Sequence, residues 1–130
     1  MAGETDLARL LDSLEVSRRP GRYTFVTGDW PELAAVASAM IDEVEGPTYV
    51  VTVEQAVAAG APVGFVAGWL TLSVHSALEA VGLTAWFSDR LASAGIACNV
   101  LAGFHHDHLL VPIERTEEAA GVLTGRVSSS

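Results

Sequence analysis

Residues Leu70–Pro112 read LTLSVHSALEAVGLTAWFSDRLASAGIACNVLAGFHHDHLLVP, and their hydrophobic period changes along the way. Leu70, Leu72 and Val74 alternate with Trp69, Thr71, Ser73 and His75, the two-residue period of a strand with one buried face. Beyond Gly82, residues Leu83, Phe87, Leu91 and Ala94 recur at helical spacing, and Gly95 suits the C-terminal end of that helix. Ile96–Phe104 and His108–Ile113 then predict two strands that meet at His105-His106-Asp107. A strand, a helix and two strands in succession point to a sheet covered by helices on one face. The same stretch contains all four histidines and the only cysteine, Cys98, so the functional reading concentrates here.

Toward the amino terminus, Leu7, Leu10, Leu11 and Leu14 fall on one face of an amphipathic helix of about three turns. Pro20-Gly21 is expected to end it with a turn, and Arg22–Thr27 to form a short strand. Asp29, with Glu32 three residues on, is expected to cap a helix whose apolar stripe is Leu33, Val36, Ala37, Met40, Ile41 and Val44. Gly46-Pro47 should stop that helix before a second strand, Thr48–Val53. Glu54–Gly60 suggests a single helical turn, and Val63–Val66 a short strand ahead of the one at Trp69–His75. Toward the carboxyl terminus, Thr116 can cap a last helix whose first turn carries Glu117 and Glu118. In the predicted order, α-β-α-β-(α)-β-β-α-β-β-α, strand-helix-strand-strand occurs twice. The fold class is α+β, and the split β-α-β, or ferredoxin-like, unit is its natural building block.

Half of the 130 residues are apolar, and at this length folding buries roughly two-thirds of the unfolded surface, enough for a sizeable core. No Gly/Ser-rich or Pro-rich linker divides the chain. The net charge is −9, and the seven cationic side chains are all Arg. Such an acidic chain is a poor match for nucleic-acid phosphates or anionic lipid. Its three tryptophans are scattered rather than grouped as a base-stacking platform. A single cysteine forms no internal disulfide, and the apolar stretches are too short and too interrupted to span a bilayer. No basic, long apolar leader pattern opens the sequence. A cytoplasmic protein with no nucleic-acid and no membrane partner is the expectation.

Gly82 lies between a strand end and a helix start. The N–H groups of a helix N-terminus hold a carboxylate without a basic side chain, and the missing Cβ lets a ligand approach closely. Gly82 could equally serve the turn alone. His75 can donate and accept hydrogen bonds, Ser76 can cap or contact a ligand, Glu79 could meet an ammonium group and Asn99 could add an amide contact. Their structural alternatives are a backbone bond for His75, a cap for Ser76 and a strand-edge or interface bond for Asn99. His105-His106-Asp107-His108 has the chemistry of a zinc or nickel site. Neighbouring hairpin residues point to opposite faces, however, so at most two, such as His106 and His108, could share an ion. A polar turn fixing the hairpin register is the better account, and no metal site and no cofactor are expected. Catalysis has no motif to rest on, neither an activated nucleophile, a phosphate loop nor a zincin spacing. Cys98 alternates with Ile96 and Val100 and reads as a small core residue.

The segments Val74-His75-Ser76-Ala77-Leu78-Glu79-Ala80-Val81-Gly82-Leu83-Thr84-Ala85 and Asn99-Val100-Leu101-Ala102-Gly103-Phe104-His105-His106-Asp107-His108 resemble those of a bacterial ACT-like family. Glu45-Gly46 before a strand fits the same family, and the resemblance extends from Leu7 onward. Ala77 and His105 depart from it, since many members have Ser and Tyr at those positions. Members look like two intertwined ACT-type βαββαβ units in one short chain, and the arginine-sensing proteins of animal nutrient signalling are similar at greater distance. The resemblance implies an N-terminal unit at residues 1–66 and a C-terminal unit at 67–130. It implies a regulatory, non-enzymatic protein that binds a small molecule, an amino acid above all, at the loop of His75, Ser76, Val81, Gly82, Leu83 and Thr84, with Asn99 beside it. A homodimer is the expected assembly, with output acting in trans. A ligand-free structural or partner-binding module is the first alternative, and a metal-dependent enzyme built on the histidine cluster is the second.

Overall fold

The computed structural model describes residues 7–8, 11–74 and 82–124. From Glu15 onward the helices and strands of the described residues repeat one pattern. Strand β1 (Glu15–Thr27), helix α1 (Pro31–Ala34), strands β2 (Ala39–Glu43) and β3 (Gly46–Thr52) and helix α2 (Val53–Ala59) come first. Strand β4 (Ala67–Ser73), helix α3 (Leu83–Ser93), strands β5 (Asn99–Ala102) and β6 (Asp107–Pro112) and helix α4 (Thr116–Thr124) follow in the same β-α-β-β-α order. The chain divides into two compact units. One is formed by residues 20–67, and the other by 68–130 together with 1–19.

In the 20–67 unit the strand order is β2-β3-β1, every pair antiparallel. Tyr23 stands opposite Thr52 and Val26 opposite Tyr49, while Met40 also stands opposite Tyr49. Val26, Tyr49 and Val51 project to one side and pack with Leu33 of α1 and Ala56 of α2. The other side carries Phe25, whose ring stacks on Phe65 with centroids 6.4 Å apart. A reciprocal capping box starts α2, since the Gln55 N–H donates to Thr52 Oγ1 at 3.0 Å and the Thr52 N–H to Gln55 Oε1 at 2.9 Å.

In the other unit β6 lies between β4 and β5. Asn99 stands opposite Leu110, Val100 opposite Leu109 and Leu101 opposite His108. Leu70 and Leu72 of β4 and Leu109 and Val111 of β6 face Leu83, Phe87 and Leu91 of α3 and Ala119 and Leu123 of α4. These residues, with Ile96, form the larger core, and the sequence pattern of β4 and α3 is realised as expected.

Several sequence expectations are corrected. The strand β1 begins at Glu15 and runs through Pro20-Gly21, where a turn was expected; Gly21 at φ 105 lets the strand continue past the proline. The long helix expected from Leu33 to Val44 is only the single turn of α1. Trp30 occupies its N-cap position and makes no side-chain capping bond, so the Asp29/Glu32 box does not form. Residues 39–43 instead pair with 46–50 as a hairpin, leaving Met40, Ile41 and Val44 exposed. The apolar spacing of three and four matches a helix, but a turn at Val44-Glu45 lets 39–43 pair with β3 instead, at the cost of leaving those side chains outside the core. Helix α2 is longer than one turn, and Val63–Val66 is not a strand. Thr116 does not cap α4. Its buried hydroxyl donates to the Ile113 carbonyl at 2.8 Å, across a short 3-10 turn at Ile113–Arg115.

Candidate functional site

Gly82 occupies the N-cap position of α3 with φ 102, a left-handed conformation that glycine adopts without the strain a side chain brings. Glycine has no side chain to cap this end, and the Gly82 carbonyl accepts the Trp86 N–H at 2.9 Å. The N–H groups of Leu83, Thr84 and Ala85 are therefore the first-turn donors that have no partner within the helix. Leu83 turns its side chain into the core and is only 5% exposed, so its backbone alone is available to a ligand. Thr84 is exposed.

Beside this helix end runs an open groove of about 590 Å³, lined by Leu7, Gly82, Ala85, Trp86, Asp89, Arg90, Ser93 and Val122. Trp86 and Arg90, one helical turn apart, stack with the guanidinium carbon 4.7 Å from the ring centre. The groove thus offers a carboxylate, a guanidinium, an aromatic plane and a small-residue opening at Gly82. Sequence reading singled out Gly82, Leu83 and Thr84 but not Trp86 and Arg90. Their spacing of four along a helix was the available signal.

Asn99 is exposed on β5, and its Nδ2 donates to the carbonyl of Leu110 at 3.4 Å. Its side chain shares a strand face with Leu110 and His108, opposite to the face that packs on α3. The structure therefore places Gly82, Leu83 and Thr84 together and Asn99 apart from them. His75, Ser76 and Val81 lie outside the described residues.

The histidines of the hairpin sort by face. His106 and His108 project toward the non-core face of β4. Ser73 Oγ is 3.2 Å from His106 Nδ1, and Thr71 Oγ1 is 3.1 Å from His108 Nδ1. The Trp69 indole N–H donates to the same His108 Nδ1 at 3.1 Å. Burial, with the His106 and Arg19 charges, holds the His108 imidazole below its ordinary range against the pull of Asp107. His105 points elsewhere, its ring edge-on to Phe104 at 5.1 Å. Among the described residues no three of His, Cys, Asp and Glu converge as metal ligands would. A second cleft, of about 560 Å³, lies where Asp12, Ser13 and Glu15 approach Ser73, Val74 and His106. Cys98 is half-buried against the larger core, and burial pushes its thiol up to about 11, which keeps it protonated and unreactive near neutrality. No helix among the described residues is long and apolar enough to cross a membrane.

Comparison with known proteins supports the same architecture. Two family models match in tandem, each described as an ACT domain, one over residues 2–68 and the other over 65–125. A protein of unknown function from Vibrio cholerae, described as a possible transport protein, is 38% identical. That match covers 95% of this chain and 97% of the other, with a TM-score of 0.85. An Agobacterium tumefaciens protein shares the fold at 19% identity and TM-score 0.60, over 88% of this chain and 90% of its own. The ligand-free regulatory subunit of aspartate kinase from Thermus thermophilus shares it at 14% identity and TM-score 0.60, over 85% of this chain and 94% of its own. No curated protein matches the sequence. Two successive β-α-β-β-α repeats, a glycine at a helix entrance and a pair of adjoining family matches lead to one conclusion: this chain belongs to the ACT domain family.

Proposed function

We propose that this protein is a non-enzymatic, cytoplasmic regulator that binds an amino acid at the entrance of α3 and signals through its assembly or through a partner. The observation that carries the reading is the glycine-led N-terminus of α3, beside a groove with both a carboxylate and a guanidinium. The ligand's α-carboxylate accepts from the N–H groups of Leu83 and Thr84, where the helix end is electropositive. Val81, Ser76 and His75 lead into that loop and contribute the adjoining contacts, and Asn99 is the outlying member of the set. Asp89 is placed to pair with an ammonium and Arg90 with an acidic ligand side chain. Family membership supports a regulatory role, and the likeness to an aspartate kinase regulatory subunit agrees with it. The sequence division at residue 66 is read as two ACT units, with residues 1–19 exchanged into the second.

Calorimetric titration of the proteinogenic amino acids tests this. Gly82→Val is a poor probe, because a branched residue at φ 102 strains the fold whatever it does to a ligand. Thr84→Glu is a better one. Its carboxylate favours the start of α3 yet competes with a ligand for the same N–H groups, and Thr84→Gln is the neutral control. One amino acid should bind the wild type and the Gln variant, with at least about tenfold weaker binding to the Glu variant. Equal binding to Thr84→Glu overturns the site, and the absence of any binding leaves the ligand-free partner module as the reading.

A further inference from the structure

We propose that His108 is a proton-operated latch: neutral, it ties β6 to Trp69 and Thr71 of β4; protonated, it releases Trp69 and loosens the hairpin tip that carries Phe104 and His106. This stands on different residues from the amino-acid site and holds whether or not that site is occupied.

An indole N–H can only donate, so the 3.1 Å contact from Trp69 Nε1 requires a lone pair on His108 Nδ1. The neutral imidazole then carries its proton on Nε2. The Thr71 hydroxyl, 3.1 Å from the same Nδ1, donates alongside the indole. Adding a proton to His108 places an N–H opposite the indole N–H. Thr71 adapts by rotating its hydroxyl to accept, because a hydroxyl takes either role. Trp69 has no second role to take. The two facing N–H groups repel, and Trp69, only 2% exposed, has little room to turn its ring away. The side chain of His108 has to leave.

The surroundings oppose the charge. From β1, the Arg19 guanidinium carbon sits 4.5 Å from the centre of the Trp69 ring, and from the hairpin the His106 ring is 6.3 Å from that of His108. Among the described residues Asp107 of β6 is the acidic neighbour that favours protonation, and Thr71 and Ser73 of β4 are neutral. Burial contributes most, and together these hold the folded-state imidazole below its ordinary 6.5. The sign follows. The unfolded chain takes up the proton first on acidification, so the latch's stabilisation is complete above the ordinary value and is lost as pH falls through the depressed one.

The hairpin is built to respond. The Gly103 N–H donates to the His106 carbonyl at 2.9 Å, closing the tip, and a Cβ at Gly103 would stand 3.2 Å from His108 Nε2. The tip therefore rests directly against the imidazole that moves. Phe104, at the tip, is 78% exposed and travels with it, as does the contact of His106 with Ser73 beside the second cleft.

The test is a nitrogen-15 NMR titration of the full chain between about pH 8 and about pH 4.5. The His108 ring nitrogens should report the Nε2–H tautomer near neutrality. The Trp69 indole resonance should shift with one titration that falls below the ordinary histidine range. In His108→Asn, Oδ1 can accept the indole bond but gains no proton, and the Trp69 titration should disappear. Where that variant does not fold, Trp69→Phe gives the second reading, because losing the donor should move the His108 titration up toward its ordinary value. An Nδ1–H tautomer at neutrality, a Trp69 resonance that does not change with pH, a titration that persists in His108→Asn, or an unmoved His108 titration in Trp69→Phe each overturns the latch.

Discussion

At the scale of single residues, the tightest constraint is at Gly68, the second residue of β4. A Cβ there would collide with the Thr116 hydroxyl, its Cγ2 and its Cβ, and Thr116 is itself fully buried and bonded to Ile113. Gly68 is needed for close approach rather than for an unusual backbone angle. Gly68→Ala should cost roughly 1–3 kcal/mol, the usual range for overpacking a filled site. Urea unfolding measures it, and a midpoint equal to the wild type would mean that the two elements separate easily. Thr116→Ala in the same chain should recover part of the loss, since it removes the two nearest atoms. The sequence shows that residue 68 is glycine but not what faces it, because Thr116 is remote in sequence and only the fold brings it near. Gly82 is the opposite case: its place between a strand pattern and a helix pattern marks the helix entrance from sequence alone. The pairing of His106 and His108 on one face was also legible, from the two-residue period of the hairpin. The indole that fixes His108 was not, since the register of β4 against β6 is a tertiary fact.

Elements repeat that division between what is local and what is not. Helix α3 was readable because Leu83, Phe87 and Leu91 supply one unbroken stripe, and all three are buried against Leu70, Leu72, Leu109 and Val111. Phe87 has no exposed surface, so Phe87→Ala should cost roughly 3–5 kcal/mol. A loss under about 1 kcal/mol, read by chemical denaturation, would remove this face from the core. The stretch from Leu33 to Val44 departs from its helical pattern for a physical reason. Its apolar residues satisfy a helical period, but burial follows the hairpin, and Met40 and Val44 gain little from it. The proline of Pro20-Gly21 was equally ambiguous. A proline stops a helix or an interior ladder, yet a strand passes through it where no ladder bond is required of its nitrogen. The Thr52/Gln55 capping box marks the start of α2 in the structure, a signal the strand pattern of Thr48–Val53 hides in the sequence.

At the scale of the whole molecule, the open question is how the sheet edges are protected, and the sequence treats the two edge strands differently. Strand β2 ends the order in its unit and β5 ends the order in the other. An uncovered edge offers unpaired N–H and C=O groups to another chain, and charge on the strand blunts it. The β2 edge is charged: Asp42 and Glu43 lie on it and Glu45 follows in the turn, so its partly exposed Ile41 is flanked by acids. The β5 edge, Asn99-Val100-Leu101-Ala102, has no charge at all, and Val100 is 38% exposed on it. In a chain of net charge −9, two acidic β2 edges repel while two neutral β5 edges do not. The protein should therefore form a homodimer at micromolar concentration through β5. Val100→Lys puts a like charge at the centre of that contact and should weaken the dimer at least about tenfold, whereas Ile41→Lys should leave it unchanged. Light scattering across a dilution series separates the outcomes. Monomer throughout would show that the edges stay open, a dimer indifferent to Val100→Lys would remove β5 from the contact, and a dimer broken by Ile41→Lys would move it to β2.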